Sequence, residues 1–176
     1  MKFINKYKSP NFNNRNRAKI KFVIIHYTAL KNSKSSIDFL CNKKNKVSCH
    51  FVVSQDGSIY NLVDVKKRAW HAGYSSWKNY KNINSYSIGI ELDFSYEFKN
   101  NNYTKKMMFS LKKLLKNLIK KYNIERTNIL SHSDIAPLRK IDPGPDFPWY
   151  QLYMCELAFY PKKEYNLHIP LFKPMV

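Results

Sequence analysis

The run Lys21-Phe22-Val23-Ile24-Ile25-His26-Tyr27-Thr28 sets the tightest limit on the fold. It is nearly all apolar, β-branched or aromatic, with none of the polar alternation of a strand that wets one face. It therefore predicts a strand buried on both faces in the middle of a sheet. Such a strand needs a layer of structure on each side. His26 ends the run, where it is either a satisfied core imidazole or a ligand at the sheet edge.

Four further strands are expected. Ser48-Cys49-His50-Phe51-Val52-Val53-Ser54 and Ser58-Ile59-Tyr60-Asn61-Leu62-Val63 flank Gln55-Asp56-Gly57, a hairpin turn in which Asp-Gly supplies the positive φ. Tyr86 to Phe94 is the third, and His50, in mid-strand, reads as a packed core residue. Ser35 to Leu40 reads as a short capped helix. Thr104 is expected to cap a long helix to about Tyr122, because Met107, Met108, Leu111, Leu114, Leu115, Leu118, Ile119 and Tyr122 recur at helical spacing. Its lysines lie mostly on the other side. Asn128 to His132 reads as a short strand, and Pro148 as the start of a last helix from Trp149 to about Phe159. The sum is one α/β (α+β) domain with a mixed central sheet flanked by helices. Its expected parts are an N-terminal arm over 1–19, a domain over 20–160 and a tail over 161–176.

A chain of 176 residues suits one domain with a sizeable core. Thirty-one Lys and Arg against twelve Asp and Glu give a net charge of +19, which attracts polyanions. Abundant Lys, Asn, Ile and Tyr beside only four Gly are also what an AT-biased coding sequence yields, which weakens the charge as a functional sign. The lysines of the long helix lack the interleaved aromatics of a nucleic-acid surface, so no nucleic-acid partner is expected. Cys41, Cys49 and Cys155 are too scattered for a disulfide framework, and no CxxC pair offers a zinc knuckle. No run reaches the ~18 apolar residues of a membrane span, and the N-terminus has no apolar run of secretory length.

The chemistry concentrates in Leu130 to Trp149. Four prolines there exclude a long regular helix and stiffen a segment carrying His132, Asp134, Arg139, Lys140, Asp142 and Asp146. Glu91, between Ile90 and Leu92, is costly to bury unless paired or functional. His26, His132 and Asp142 stand at segment ends. Two imidazoles and a carboxylate, with a fourth position for water, match a catalytic zinc site. Spacing alone does not establish that His26 meets His132, and the loop could equally be a surface segment with a salt bridge or two.

Four blocks occur in order: Val23-Ile24-Ile25-His26-Tyr27-Thr28, Arg68-Ala69-Trp70-His71-Ala72-Gly73, Ser87-Ile88-Gly89-Ile90-Glu91-Leu92, and His132-Ser133-Asp134-Ile135-Ala136-Pro137 through Arg139-Lys140-Ile141-Asp142-Pro143-Gly144-Pro145. From about Phe22 to Trp149 the chain resembles the zinc-dependent N-acetylmuramoyl-L-alanine amidases of the AmpD/AmiD type (the amidase-2 family), related to T7 lysozyme and the peptidoglycan recognition proteins. The resemblance implies their fold and one zinc ion held by His26, His132 and Asp142. It implies Glu91 as general base and acid, and Lys140 as electrostatic stabiliser. Trp70, His71, Ala72 and Asn84 match positions lining the family's substrate groove, and Arg139 is a candidate partner for a stem-peptide carboxylate. The implied reaction cleaves the amide between N-acetylmuramic acid, ordinary or 1,6-anhydro, and L-alanine of the stem peptide. A monomer acting on muropeptides or wall is expected, in the bacterial cytoplasm or alternatively the periplasm and cell envelope. The connection from His26 to His50 is short, as in AmiD-type enzymes, and the loop after Glu91 is the chain's own. The alternatives are a peptidoglycan-binding relative that does not cut, and a basic nucleic-acid-binding domain.

Overall fold

The computed structural model describes residues 2–98 and 102–160. The first half contains β1 (Phe3–Ile4), β2 (Phe12–Asn14), β3 (Phe22–Tyr27), α1 (Ser33–Cys41), β4 (Phe51–Val53), β5 (Ile59–Asn61), β6 (Lys67–Ala69), β7 (Ser76–Trp77) and β8 (Tyr80–Lys81). The second half contains β9 (Ser87–Leu92), α2 (Lys105–Tyr122), β10 (Ile129–Ser131), α3 (His132–Ile135) and α4 (Trp149–Tyr153). Six strands form one mixed sheet in the order β1-β5-β4-β9-β3-β10. Its neighbours run parallel except for β4 and β5, which are joined by the Asp56-Gly57 turn with Gly57 at φ +83°.

The apolar run became β3, flanked by β9 and β10, with Phe22 to His26 all buried. Successive side chains of a strand leave opposite faces. Val23 and Ile25 of β3 and Ile88, Ile90 and Leu92 of β9 meet the apolar stripe of α2, from Met107 through Leu118. Each such side chain contributes roughly 1.5–3 kcal/mol when buried. Thr104 caps α2 by accepting the Met107 amide hydrogen on Oγ1 (3.1 Å), and Asn123 closes it at φ 51°. The opposite face holds Phe22 and Ile24 against Ile83, Leu130 and Ile135. By the same alternation, the β9 positions facing away from α2 are Ser87, Gly89 and Glu91.

The N-terminal segment is built into the domain. β1 extends the sheet edge beside β5, and β2 pairs antiparallel with β6. Arg15 is 8 % exposed and donates to Val65 O (2.9 Å), Ser85 O (2.8 Å) and Ser87 O (2.7 Å). The last helix is shorter than its sequence pattern predicts. The chain turns through Glu156 at φ 56°, and Leu157 N donates back to Leu152 O (2.9 Å), which brings Leu157 and Ala158 into the core. The segment read as a C-terminal tail lies outside the described residues. Among the described residues, no helix is long and apolar enough to cross a membrane.

Candidate metal centre

The carboxyl ends of β3, β9 and β10 open into a cavity of about 550 Å³, the usual location for a site on a parallel sheet. β3 and β10 pair in register with Ser131 opposite Ile25, so the residues that follow, His26 and His132, come together. His132 begins α3, whose entry is fixed by a capping box: Asp134 N donates to Ser131 Oγ (2.8 Å), and Ser131 N donates to Asp134 Oδ2 (2.8 Å). The proline-rich loop then turns back, and Ser133 N donates to Asp142 O (3.1 Å), which anchors the third candidate ligand.

The three side chains converge. His26 Nδ1 lies 3.0 Å from His132 Nδ1 and 2.9 Å from Asp142 Oδ2, and His132 Nδ1 lies 3.0 Å from Asp142 Oδ2. All three residues are buried. Burial lowers the His26 pKa to about 4, against the opposing effect of Asp142. His132 Nε2 faces Ala72 O at 3.2 Å. A carbonyl only accepts, so Nε2 carries a hydrogen, which leaves Nδ1 as the nitrogen that can offer a lone pair. An imidazole lone pair, a second imidazole nitrogen and a carboxylate oxygen at mutual contact call for a shared cation. Tetrahedral zinc with bonds near 2.0–2.1 Å spaces its ligand atoms by about 3.3 Å, within a few tenths of an ångström of this triangle. The group could therefore hold a metal ion.

Glu91 lies in the same cavity. Its Oε2 is buried with no hydrogen-bond partner among the described residues. Burial, then the Asp142 charge, push its pKa well above the usual carboxylate range, while Lys140 pulls it down. Lys140 and Arg139 also line the cavity. Arg139 is anchored through Nη2 to Ala72 O (2.7 Å) and Tyr74 O (2.7 Å).

Of the five expected groove residues, His71 and Arg139 line the cavity, and Trp70, Ala72 and Asn84 do not. Trp70 turns its indole N–H to Asn13 of the N-terminal segment. Ala72 is buried, and Asn84 accepts the amide hydrogens of His71 (3.0 Å) and Ala72 (2.8 Å) on Oδ1. The hydrogen bonds of Trp70 and Asn84 tie these segments to the chain around the site. Sequence reasoning missed the rest of the lining, which includes Tyr27, Thr28, Leu30, Phe39, Leu40 and Val47. The position of Tyr27 and Thr28 directly after His26 was an available signal, and Thr28 Oγ1 is a second buried polar atom of the cavity without a partner among the described residues.

Residues 16–145 match the family described as N-acetylmuramoyl-L-alanine amidase. The chain belongs to this amidase family. It is 37% identical over 156 residues to N-acetylmuramoyl-L-alanine amidase AmiD of Escherichia coli (strain K12), covering 81% of this chain and 55% of AmiD. It is 34% identical to 1,6-anhydro-N-acetylmuramyl-L-alanine amidase AmpD of Haemophilus influenzae, covering 80% of this chain and 85% of that one. The structure of AmiD from E. coli in complex with the substrate anhydro-N-acetylmuramic acid-L-Ala-D-gamma-Glu-L-Lys superposes with a TM-score of 0.73 at 35% identity, covering 90% of this chain and 64% of that one. The chain thus spans about half the length of the full AmiD sequence. The amidase fold accounts for the mixed sheet with its site at the strand ends.

Proposed function

We propose that this protein is a zinc-dependent N-acetylmuramoyl-L-alanine amidase. It would hydrolyse the amide between the lactyl group of N-acetylmuramic acid and L-alanine of the stem peptide in cell-wall turnover or recycling. The observation that carries this reading is the His26–His132–Asp142 triangle with the unpartnered Glu91 carboxylate in the same cavity. Membership of the amidase family and the muropeptide bound to the related AmiD support it.

In this reading His26, His132 and Asp142 hold one zinc ion. Bound there, zinc supplies Lewis acidity that acidifies water and polarises a carbonyl. Glu91, with a raised pKa and a bare carboxylate oxygen, takes the proton of the attacking water. It returns a proton to the alanine nitrogen as the C–N bond breaks, so the products are a free lactyl carboxylate and a peptide with a free N-terminus. Lys140 sets a positive charge beside the negative charge that builds on the carbonyl oxygen. Arg139, fixed through Nη2 at the cavity, sets a positive charge there for a stem-peptide carboxylate. The short connection after His26 leaves the groove open, so both anhydro and ordinary muramic acid should be accepted.

The test is digestion of a defined muropeptide by the zinc-loaded protein, with products identified by mass spectrometry. Release of the intact stem peptide with free L-alanine at its N-terminus is expected. His132→Ala should lose zinc and cleavage together. An intact muropeptide after incubation with the zinc-loaded wild-type protein would overturn the reading.

A further inference from the structure

The proposed ligands account for one nitrogen of His26 and leave the other against a buried histidine. His26 Nε2 lies 3.0 Å from His71 Nδ1, and His71 Nε2 lies 3.1 Å from Ser87 Oγ. Ser87 Oγ in turn lies 2.7 Å from Ile83 O. This chain has one consistent assignment of hydrogens. Ile83 O can only accept, so the single Ser87 hydroxyl hydrogen points to it. Toward His71 the hydroxyl oxygen is therefore an acceptor, and His71 Nε2 carries a hydrogen. His71 is 6 % exposed and packed edge-on against two further imidazoles, His26 and His50, where a charged ring would be costly to bury, so its ring is taken as neutral. Its Nδ1 is then bare and accepts from His26 Nε2–H. With that hydrogen on Nε2, Nδ1 is the nitrogen of His26 that can offer a lone pair, and it faces His132 Nδ1 and Asp142 Oδ2.

The surrounding chain is shaped to keep His71 in this place. A Cβ on Gly89 would stand 2.4 Å from His71 Cγ, so the imidazole lies against the strand only because residue 89 is glycine. Asn84 Oδ1 grips the amides of His71 and Ala72. Ala72 O is the acceptor for His132 Nε2, so adjacent residues serve both imidazoles of the centre.

We propose that His71 and Ser87 are positioning residues that fix His26 as its Nε2–H tautomer and so hold its Nδ1 lone pair toward the metal. The proposal rests on the metal-site reading above. It gives the His71 block a role behind the centre in addition to any contact with substrate. Outer partners of this kind commonly change metal affinity about 10–100-fold when removed.

The first measurement reads tautomers in the metal-free protein, by long-range 1H–15N correlation of 15N-histidine. In the wild type, His26, His71 and His132 should all carry hydrogen on Nε2. In Ser87→Ala, His71 loses its acceptor, and the Nδ1–H form of His26 should become populated. The second measurement is zinc affinity by chelator competition. His71→Leu and Ser87→Ala should weaken binding about 10–100-fold. His71→Asn sets an amide oxygen near the position of Nδ1, and should stay within a few-fold of wild type. A wild-type His26 protonated on Nδ1 would overturn the proposal, as would unchanged affinity in both His71→Leu and Ser87→Ala. Wild-type protein that binds no zinc but shows the expected tautomers would leave the hydrogen-bond chain standing and remove the metal reading instead.

Discussion

His26 and Glu91 are register partners on adjacent parallel strands, and both face away from α2. The candidate metal ligand and the candidate base are thus neighbours through sheet pairing, 65 positions apart in sequence. Strand spacing of roughly 4.8 Å fixes their backbones relative to one another. No loop has to move to bring them together.

That arrangement separates metal binding from proton transfer. Glu91→Gln keeps the side-chain shape and the sheet, so zinc content should be unchanged. It removes the atom that accepts the water proton. The expected loss is about 10²- to 10⁴-fold in kcat with little change in KM. Steady-state kinetics on a defined muropeptide, with zinc measured by elemental analysis, checks this. Near-normal kcat with zinc bound would move the base to another residue.

Glu91 should also be a stability liability in the metal-free protein. Its folded pKa is raised, chiefly by burial, so over the range between the unfolded and folded values the native state binds more protons than the unfolded one. Stability then falls as pH rises through that range, and the cost is fully present above the folded pKa. Glu91→Gln should therefore raise the Tm of metal-free protein at neutral pH. The advantage should vanish below the ordinary glutamate pKa of about 4.3, where the carboxyl is protonated in both states. Thermal unfolding across pH tests the sign. A lower Tm for the glutamine variant at neutral pH would contradict it.

Much of this was legible in the sequence where periodicity was strong. The unbroken apolar run gave a central strand, and the alternation Ile88, Ile90, Leu92 against Ser87, Gly89, Glu91 carried the two faces of β9. Thr104 and the stripe to Tyr122 matched α2. The meeting of His26 with His132 and Asp142 was not readable from spacing, because it depends on β10 pairing beside β3 and on the loop folding back onto Ser133. β1, β2 and β6 are short, and backbone pairing rather than residue pattern defines them. Arg15 was hidden among exposed basic residues of the same segment. Its burial follows from four carbonyls that the fold gathers around one guanidinium.

His50, though close to His71, belongs to the frame. It is fully buried, its Nδ1 accepts from Gly89 N (3.0 Å), and its Nε2 donates to Lys67 O (3.1 Å). Burial, reinforced by Arg15, lowers its pKa to about 3, so it stays neutral. His50→Ala leaves a buried amide and a carbonyl without partners, each costing about 1–3 kcal/mol. Denaturant unfolding should show that loss while zinc stoichiometry in the folded protein remains one per chain. Loss of zinc from folded His50→Ala protein would make His50 part of the centre.

Lys140 should act twice, on the transition state and on the base. Lys140→Met keeps most of the stem and removes the charge, so the developing negative charge on the carbonyl oxygen loses its partner. One such loss costs on the order of 10²–10³-fold in kcat. Lys140 also lowers the Glu91 pKa, against burial and Asp142. Without it that pKa rises further. Glu91 works as a base only when ionised, so the acidic limb of kcat should move to higher pH in Lys140→Met. Lys140→Arg keeps a positive charge and should leave the limb near its wild-type position, even if the longer head group costs some rate. The measurement is kcat and KM against pH for the three proteins at equal zinc occupancy. A rate loss with an unmoved acidic limb would confine Lys140 to the oxyanion. An unchanged rate together with an unmoved limb would remove it from the mechanism.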